Sequence, residues 1–180
     1  MTAHLADTPV LETERLILRA PRAEDFDAFA PFVMSERSRF IGGGADKDRG
    51  FAWRVLAVLS GHWHLHGWGT FVAESKASGA PLGSMGPWYP AGWPERELGW
   101  TIWDPRAEGT GIAFEAVERV RRHAFGDLGW TTAVSYIDPQ NSRSIALAER
   151  LGCRLDETAA RPHPDEPGLV YRHPAPETLA

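Results

Sequence analysis

The stretch from Glu97 to Phe125 constrains this chain more than any other. Glu97-Leu98-Gly99-Trp100-Thr101-Ile102-Trp103 reads as a strand that Asp104-Pro105 ends. Two glycines spaced Gly-x-Gly, Gly109 and Gly111, then lead into a helical pattern with Ala113, Ala116, Val117, Val120 and Ala124 as one apolar stripe. A strand, a glycine turn and a helix in that order leave a helix N-terminus open beside a strand end. The first helical amides lack backbone partners there and the helix dipole favours negative charge, so such a turn can hold a phosphate. A lone Gly-x-Gly is also simply a tight strand-to-helix turn.

Two common nucleotide loops are excluded. A mononucleotide loop requires Gly-x-x-x-x-Gly-Lys-Ser/Thr, and here Ile112-Ala113 follow Gly111. A dinucleotide fingerprint requires a small residue three positions beyond its second glycine. That position is Phe114, and Asp127 falls near a turn rather than at the end of a following strand.

The rest of the chain alternates in the same manner. Leu11–Arg19 reads as a strand and Arg22–Ser35 as a helix with Phe26, Phe29, Ala30 and Val33 inward. Ile41-Gly42-Gly43-Gly44 is a flexible break, and Lys47–His64 is a second helix opened by Asp46 or Asp48. Gly69–Ser75 and Leu82–Trp88 are strands joined through Lys76-Ala77-Ser78-Gly79. Thr131–Ile137 is strand-like, Asp138-Pro139 suits a helix start, and Gly152 suits its end. Arg154–Thr158 and Leu169–Arg172 are final strands. The order β-α-α-β-β-β-α-β-α-β-β specifies an α/β (α+β) chain, one mixed sheet with helices on its faces.

At 180 residues, one domain spanning 1–180 is expected, with 1–9 and 174–180 as flexible ends. A net charge of −5 argues against nucleic acid as a partner, and the longest apolar runs are too short for a membrane span. The chain opens without a basic-then-apolar leader, and its single cysteine, Cys153, cannot form an internal disulfide, so a cytoplasmic location is expected. Eight tryptophans are the one compositional oddity.

Arg106-x-x-Gly109-x-Gly111, followed by Ala113 and Glu115-Ala116, resembles the acetyl-CoA pyrophosphate loop of the GNAT N-acetyltransferase superfamily. Thirty residues after Gly111, Asn141-x-x-Ser144 leading to Leu151-Gly152 resembles that family's second signature. Leu11-Glu12-Thr13-Glu14-Arg15-Leu16-Ile17-Leu18-Arg19 resembles the first strand of its RimJ/RimL-like branch. The matches extend from about residue 11 to residue 158. The resemblance implies a mostly antiparallel sheet of six or seven strands flanked by about four helices. It also implies acetyl-CoA as co-substrate, no metal, a primary amine as acceptor (a small molecule or a peptide N-terminus), and a possible homodimer.

The amides of Gly109, Thr110, Gly111, Ile112 and Ala113 suit a pyrophosphate, because backbone groups bind it without side chains and a Cβ at either glycine would obstruct approach or forbid positive φ. Arg106 either pairs a phosphate or is a solvated loop arginine. Asn141 resembles the family residue that contacts the pantetheine arm, a role compatible with capping a helix.

Transfer from a thioester to an amine needs a base for the ammonium, donors for the oxyanion and a proton for the thiolate. In the resembling family the strand before the loop splays from its neighbour, often at a bulge, which Gly99 could form. This makes the amides around Ile102 and Trp103 candidates for the oxyanion and pantetheine. Glu97 is the candidate general base, or else a solvated carboxylate at the strand edge. Ser144 resembles the branch serine placed near the coenzyme sulfur, or else lies on the helix surface.

Many family members carry a tyrosine acid seven residues after the asparagine; here that residue is Ala148. Its absence leaves open a non-catalytic acyl-CoA sensor on the same scaffold. Trp63, Trp68, Trp88 and Trp100 are candidates for an acceptor pocket, core burial being the alternative. His62 and His66 share a helix face but lack a third ligand, so no metal site is expected.

Overall fold

The computed structural model describes residues 7–175. The expected flexible ends at 1–9 and 174–180 lie for the most part outside the described residues. Eight strands form one sheet: β1 (Leu11–Glu12), β2 (Leu16–Arg19), β3 (Phe71–Ser75), β4 (Pro81–Trp88), β5 (Glu97–Ile102), β6 (Val134–Ile137), β7 (Arg154–Leu155) and β8 (Leu169–Arg172). Their spatial order is β1-β2-β3-β4-β5-β6-β8-β7, and every neighbouring pair is antiparallel except β5–β6. The helices are α1 (Phe26–Val33), α2 (Arg49–His66), α3 (Ile112–Gly126) and α4 (Ser142–Arg150).

The helices cover the two faces in pairs. Phe29, Ala30 and Val33 of α1 meet Ala52 and Leu56 of α2 against Val72 and Trp103. On the other face Ala116, Val117 and Val120 of α3, with Ala148 and Leu151 of the α4 end, bury Leu16, Leu18, Phe71, Met85 and Ile137. Both layers follow from strand alternation and the helical stripe in the sequence.

Several local expectations are corrected. The segment Leu11–Arg19 is a hairpin rather than one strand: the Thr13 amide donates to the Leu16 carbonyl, and the Leu16 amide donates to Thr13 Oγ1, both at 3.0 Å. The first helix starts later than Arg22, because Asp25 is buried in a bidentate pair with Arg19 and accepts from the Arg22 amide, holding residues 23–25 in a 3-10 turn. Asp48, not Asp46, caps α2 through the Phe51 amide, and the helix runs on to Gly67 with φ of 74°. The final helix opens at Ser142 rather than at Asp138-Pro139. Asn141 Oδ1 accepts the Ser144 amide at 3.2 Å, while Asp138 instead holds the preceding loop through the amides of Gln140 and Asn141. Of Arg154–Thr158 only Arg154 and Leu155 pair in the sheet.

The parallel pair sets the functional geometry. β5 and β6 share one paired position, Glu97 with Val134, beyond which their C-terminal parts run without further pairing. A sheet that is continuous everywhere else thus opens into a wedge at its centre.

Candidate active site

The β5 side of the wedge is a backbone edge. The Trp103 amide donates to the Leu82 carbonyl at 2.8 Å, and the β4–β5 register is unbroken from Glu97 to Ile102. Alternate residues of a strand direct their amides to opposite edges, so Trp100 and Ile102 face the wedge. The expectation for Trp103 is therefore corrected: its amide is occupied by β4, and its indole is buried against Phe29. Gly99 forms no bulge, because the register passes through it without a shift. The Ile102 amide does lie on the open edge. Closer to the apex, the Leu98 carbonyl accepts from Ser135 Oγ at 2.7 Å, and His173 Nε2 lies 3.0 Å from the same hydroxyl.

The mouth of the wedge is the loop between β5 and α3. Gly109 and Gly111 adopt φ of 72° and 85°, which favours glycine at both positions. A Cβ at Gly109 would meet nothing within 4 Å, so conformation rather than crowding accounts for that glycine. The Glu115 amide makes the first α3 bond, to Gly111, leaving the amides of Ile112, Ala113 and Phe114 without helical partners. Thr110 turns its hydroxyl back onto the Ala107 carbonyl, and its own carbonyl accepts from Arg15. These groups suit an anion bound by backbone amides.

Arg106 lies in this loop, but its guanidinium is bound to Asp104, whose side chain also accepts the Arg106 amide. Its side chain is 87% exposed.

The opposite wall is the start of α4. Ser144 Oγ accepts from Trp100 Nε1 at 3.2 Å, joining α4 to β5. Trp100 and Ser144 are thereby joined, with Asn141 bonded to the Ser144 amide and Ile102 on the same β5 edge as Trp100. Ala148, where a tyrosine acid was sought, is fully buried. Cys153 is buried too, and loss of hydration pushes its thiol up to about 11, consistent with a small core residue.

Glu97 occupies the apex, where β5 and β6 are last paired. Its carboxylate accepts from Trp93 Nε1 at 2.7 Å and from the Tyr136 amide, and it leans over Gly99, where an added Cβ would stand 3.6 Å from Oε1. The residue is half-buried by surface, yet its carboxylate is enclosed deeply enough that desolvation outweighs both hydrogen bonds. Its pKa is raised to about 7. The Trp93 contact was not foreseen; its one sequence trace is the Pro/Gly-rich turn that folds Trp93 back towards Glu97.

The other tryptophans separate. Trp63 is a correction: it is 2% exposed in the core, with Nε1 donating to the Thr70 carbonyl. Trp88 pairs with Glu97 across β4–β5 and stacks on His62, with ring centroids 4.6 Å apart. Trp68 packs on His62, His66 and Trp130. His62 accepts the Tyr89 amide at Nε2 and contacts the Trp68 carbonyl at Nδ1, an arrangement that requires the neutral ring; burial lowers its pKa. His62 and His66 stack at 4.3 Å, and no metal-holding cluster occurs among the described residues. Nor is any described helix long and apolar enough to cross a membrane.

A parallel strand pair joined at one position, an open helix N-terminus at its mouth and a carboxylate of raised pKa at its apex thus lie in one region of the sheet. Residues 15–154 match the acetyltransferase (GNAT) domain, and the chain belongs to that family. Its members transfer an acetyl group from acetyl-CoA to an acceptor. The chain is similar to an acetyltransferase from Agrobacterium tumefaciens str. C58, at 37% identity over 97% of this chain and 99% of that one, with a TM-score of 0.84. The fold alone is shared with a GNAT-family acetyltransferase from Bacillus anthracis, at 19% identity, 92% and 96% coverage and a TM-score of 0.72. It is shared likewise with the ribosomal-protein-S5-alanine acetyltransferase from Vibrio fischeri, at 17% identity, 94% and 98% coverage and a TM-score of 0.69.

Proposed function

We propose that this chain is a single-domain, cytoplasmic N-acetyltransferase of the RimJ/RimL-like kind, passing an acetyl group directly from acetyl-CoA to a primary amine, either a protein N-terminus or a small molecule. The observation that carries the reading is the position of Glu97, a carboxylate with pKa about 7 at the apex of the β5–β6 wedge. A base of that strength accepts a proton near neutral pH without remaining fully protonated there.

In this reading the amides of Ile112 to Phe114 and the Gly109–Gly111 turn hold the pyrophosphate, while the open edge at Trp100 and Ile102, with Asn141, receives the pantetheine arm. The donor supplies an activated thioester carbonyl. Glu97, directly or through a water, takes a proton from the ammonium, and the freed nitrogen bonds to the carbonyl carbon. The wedge-facing amides of β5 stabilise the oxyanion. The carbon–sulfur bond then breaks, and the leaving thiolate takes a proton from Ser144 or water. The second proton shed by the acylated nitrogen restores that donor, so that the one net proton released is the one held by Glu97. No covalent enzyme intermediate is required, since Cys153 is buried and protonated.

Calorimetric titration with coenzyme A, followed by a thiol-release assay over a panel of peptides, amino acids, amino sugars and polyamines, tests the reading. Binding at micromolar concentration with thiol release for at least one amine is the expected result. No binding at millimolar concentration sinks it. Binding without release for any amine assigns the sensor alternative, which the buried Ala148 at the tyrosine position favours.

A further inference from the structure

Three arginines gather at the mouth of the wedge with different partners. Arg106 is neutralised by Asp104 on its own loop. Arg37 is anchored: its Nη1 donates to the Trp103 carbonyl at 2.8 Å, its Nη2 to the Ile102 carbonyl at 2.9 Å, and its Nε to Glu108 Oε1 at 2.8 Å. Arg143 stands in the first turn of α4, two residues beyond Asn141, and its guanidinium reaches across the mouth to Glu108, the residue preceding Gly109. Glu108 is its only hydrogen-bond partner among the described residues, and its side chain is 80% exposed.

Glu108 therefore serves two cations, and the cluster of Arg37, Glu108 and Arg143 carries one net positive charge beside the unpaired amides of Ile112 to Phe114. Arg37 is tied to the backbone of the β5 end and stays whether or not Arg143 does. Glu108 thus keeps a charged partner if Arg143 leaves; as the residues stand, burial raises its pKa but Arg37 and Arg143 together hold it below the usual carboxylate value. An exposed ion pair stabilises little, whereas a guanidinium on a phosphate forms a charge-assisted and often bidentate contact.

We propose that Arg143 is a phosphate ligand for the coenzyme, parked on Glu108 in the free protein and transferred to a phosphate group when the donor binds. This rests on the coenzyme-binding reading given above and adds to it the residue that supplies the cation. Glu108 is then a competitor for Arg143 rather than a support for binding, and the α4 start closes onto the donor as the guanidinium changes partner. The same chemistry fits either the pyrophosphate or the 3′-phosphate.

The test measures dissociation constants of coenzyme A and of 3′-dephospho-coenzyme A by calorimetry for the wild type, Arg143→Gln and Glu108→Gln. Arg143→Gln should weaken coenzyme A binding about tenfold and flatten its salt dependence. Glu108→Gln should bind as tightly as the wild type or more so, because the competing charge is gone. A clasp that only holds the mouth in shape would make both variants weaken binding alike. That result, or an unchanged constant in Arg143→Gln, overturns the proposal while leaving the coenzyme reading intact. A wild type that binds no coenzyme A overturns both. A deficit in Arg143→Gln that persists with the dephospho form assigns the pyrophosphate; one that vanishes with it assigns the 3′-phosphate, and either supports the exchange.

Discussion

On the proposed donor side of the wedge the candidate binding groups are chiefly backbone, the amides of Ile112 to Phe114, the glycine turn at 109–111 and the open edge of β5, with the Arg143 guanidinium as the one side-chain cation proposed beside them. At the apex, the proposed acceptor side, the candidate group is one side chain, Glu97, its pKa raised by burial against the opposing hydrogen bonds from the Trp93 indole and the Tyr136 amide. Peptide groups do not titrate and are placed by φ and register. A carboxylate titrates and is placed by its neighbours. The donor half should therefore respond to changes in backbone conformation and be indifferent to pH, and the apex should respond to pH and be indifferent to coenzyme affinity.

The largest expected effect breaks the donor half alone. Gly111 has φ of 85°, so Gly111→Glu strains the turn and puts a carboxylate at the proposed phosphate site. Coenzyme affinity should fall by roughly a hundredfold or more by calorimetry, since charge and conformation both oppose binding. Retained affinity would remove the glycine turn from the donor site.

The next breaks the apex alone. Glu97→Gln should lower kcat about a hundredfold, within the range for a lost general base, with the coenzyme dissociation constant unchanged. In the wild type, activity at saturating coenzyme should rise with pH through about 7 and level off above it, because the raised pKa keeps Glu97 protonated below that point. Stability runs the other way. A folded-state pKa raised from 4.5 to about 7 means that the folded chain holds the proton more tightly than the unfolded one, so this contribution is present below about pH 4.5 and is lost as pH rises through 7. Glu97→Gln should consequently raise the melting temperature at pH 8 relative to the wild type and leave it little changed at pH 4. A rate that is flat with pH in the wild type would take the base role from Glu97.

The same division explains what could be read in advance. Gly109 and Gly111 and the Asn141 cap were legible because each is a local requirement of φ or of capping, visible without knowing what packs nearby, whereas Ser144 was singled out by the family resemblance alone. Trp103 was misread because the use of its amide depends on register parity: a slip of one residue against β4 would have exposed it and hidden Ile102. The Leu11–Arg19 hairpin was missed because its turn is made by the Thr13 side chain rather than by glycine or proline. Asp138-Pro139 carried a helix-start pattern that lost to Asn141. Trp63 and Trp88 look alike in sequence, yet Trp63 is sealed in the core by the face of α2 on which it lies, and Trp88 lies opposite Glu97 through the β4–β5 register; neither the turn of α2 on the sheet nor that register is a local feature.

A smaller change sharpens the apex without removing its base. The Trp93 indole lowers the Glu97 pKa by donating to its carboxylate, against the larger effect of burial. Trp93→Phe keeps the ring and deletes the donor, so the activity limb should move to higher pH. The rate at pH 7 should fall about fivefold and recover at pH 9. A uniform loss across pH would mean that Trp93 shapes the pocket instead of tuning the base.

Ser144 is where the two halves meet, and Ser144→Ala has the smallest expected effect. Its hydroxyl accepts from the Trp100 indole, whose own amide lies on the open β5 edge, while its backbone amide caps α4 through Asn141. The substitution leaves the cap intact, because the cap uses the Ser144 amide and not its side chain. A donor-side role for the hydroxyl would weaken coenzyme binding; a role in protonating the thiolate would lower kcat alone. The reading above requires the second, a fall in kcat of about threefold with water replacing the hydroxyl and with no shift of the pH limb, since Glu97 is untouched. A loss confined to the dissociation constant would instead move Ser144 to the donor side and leave water as the sole proton source for the leaving thiolate.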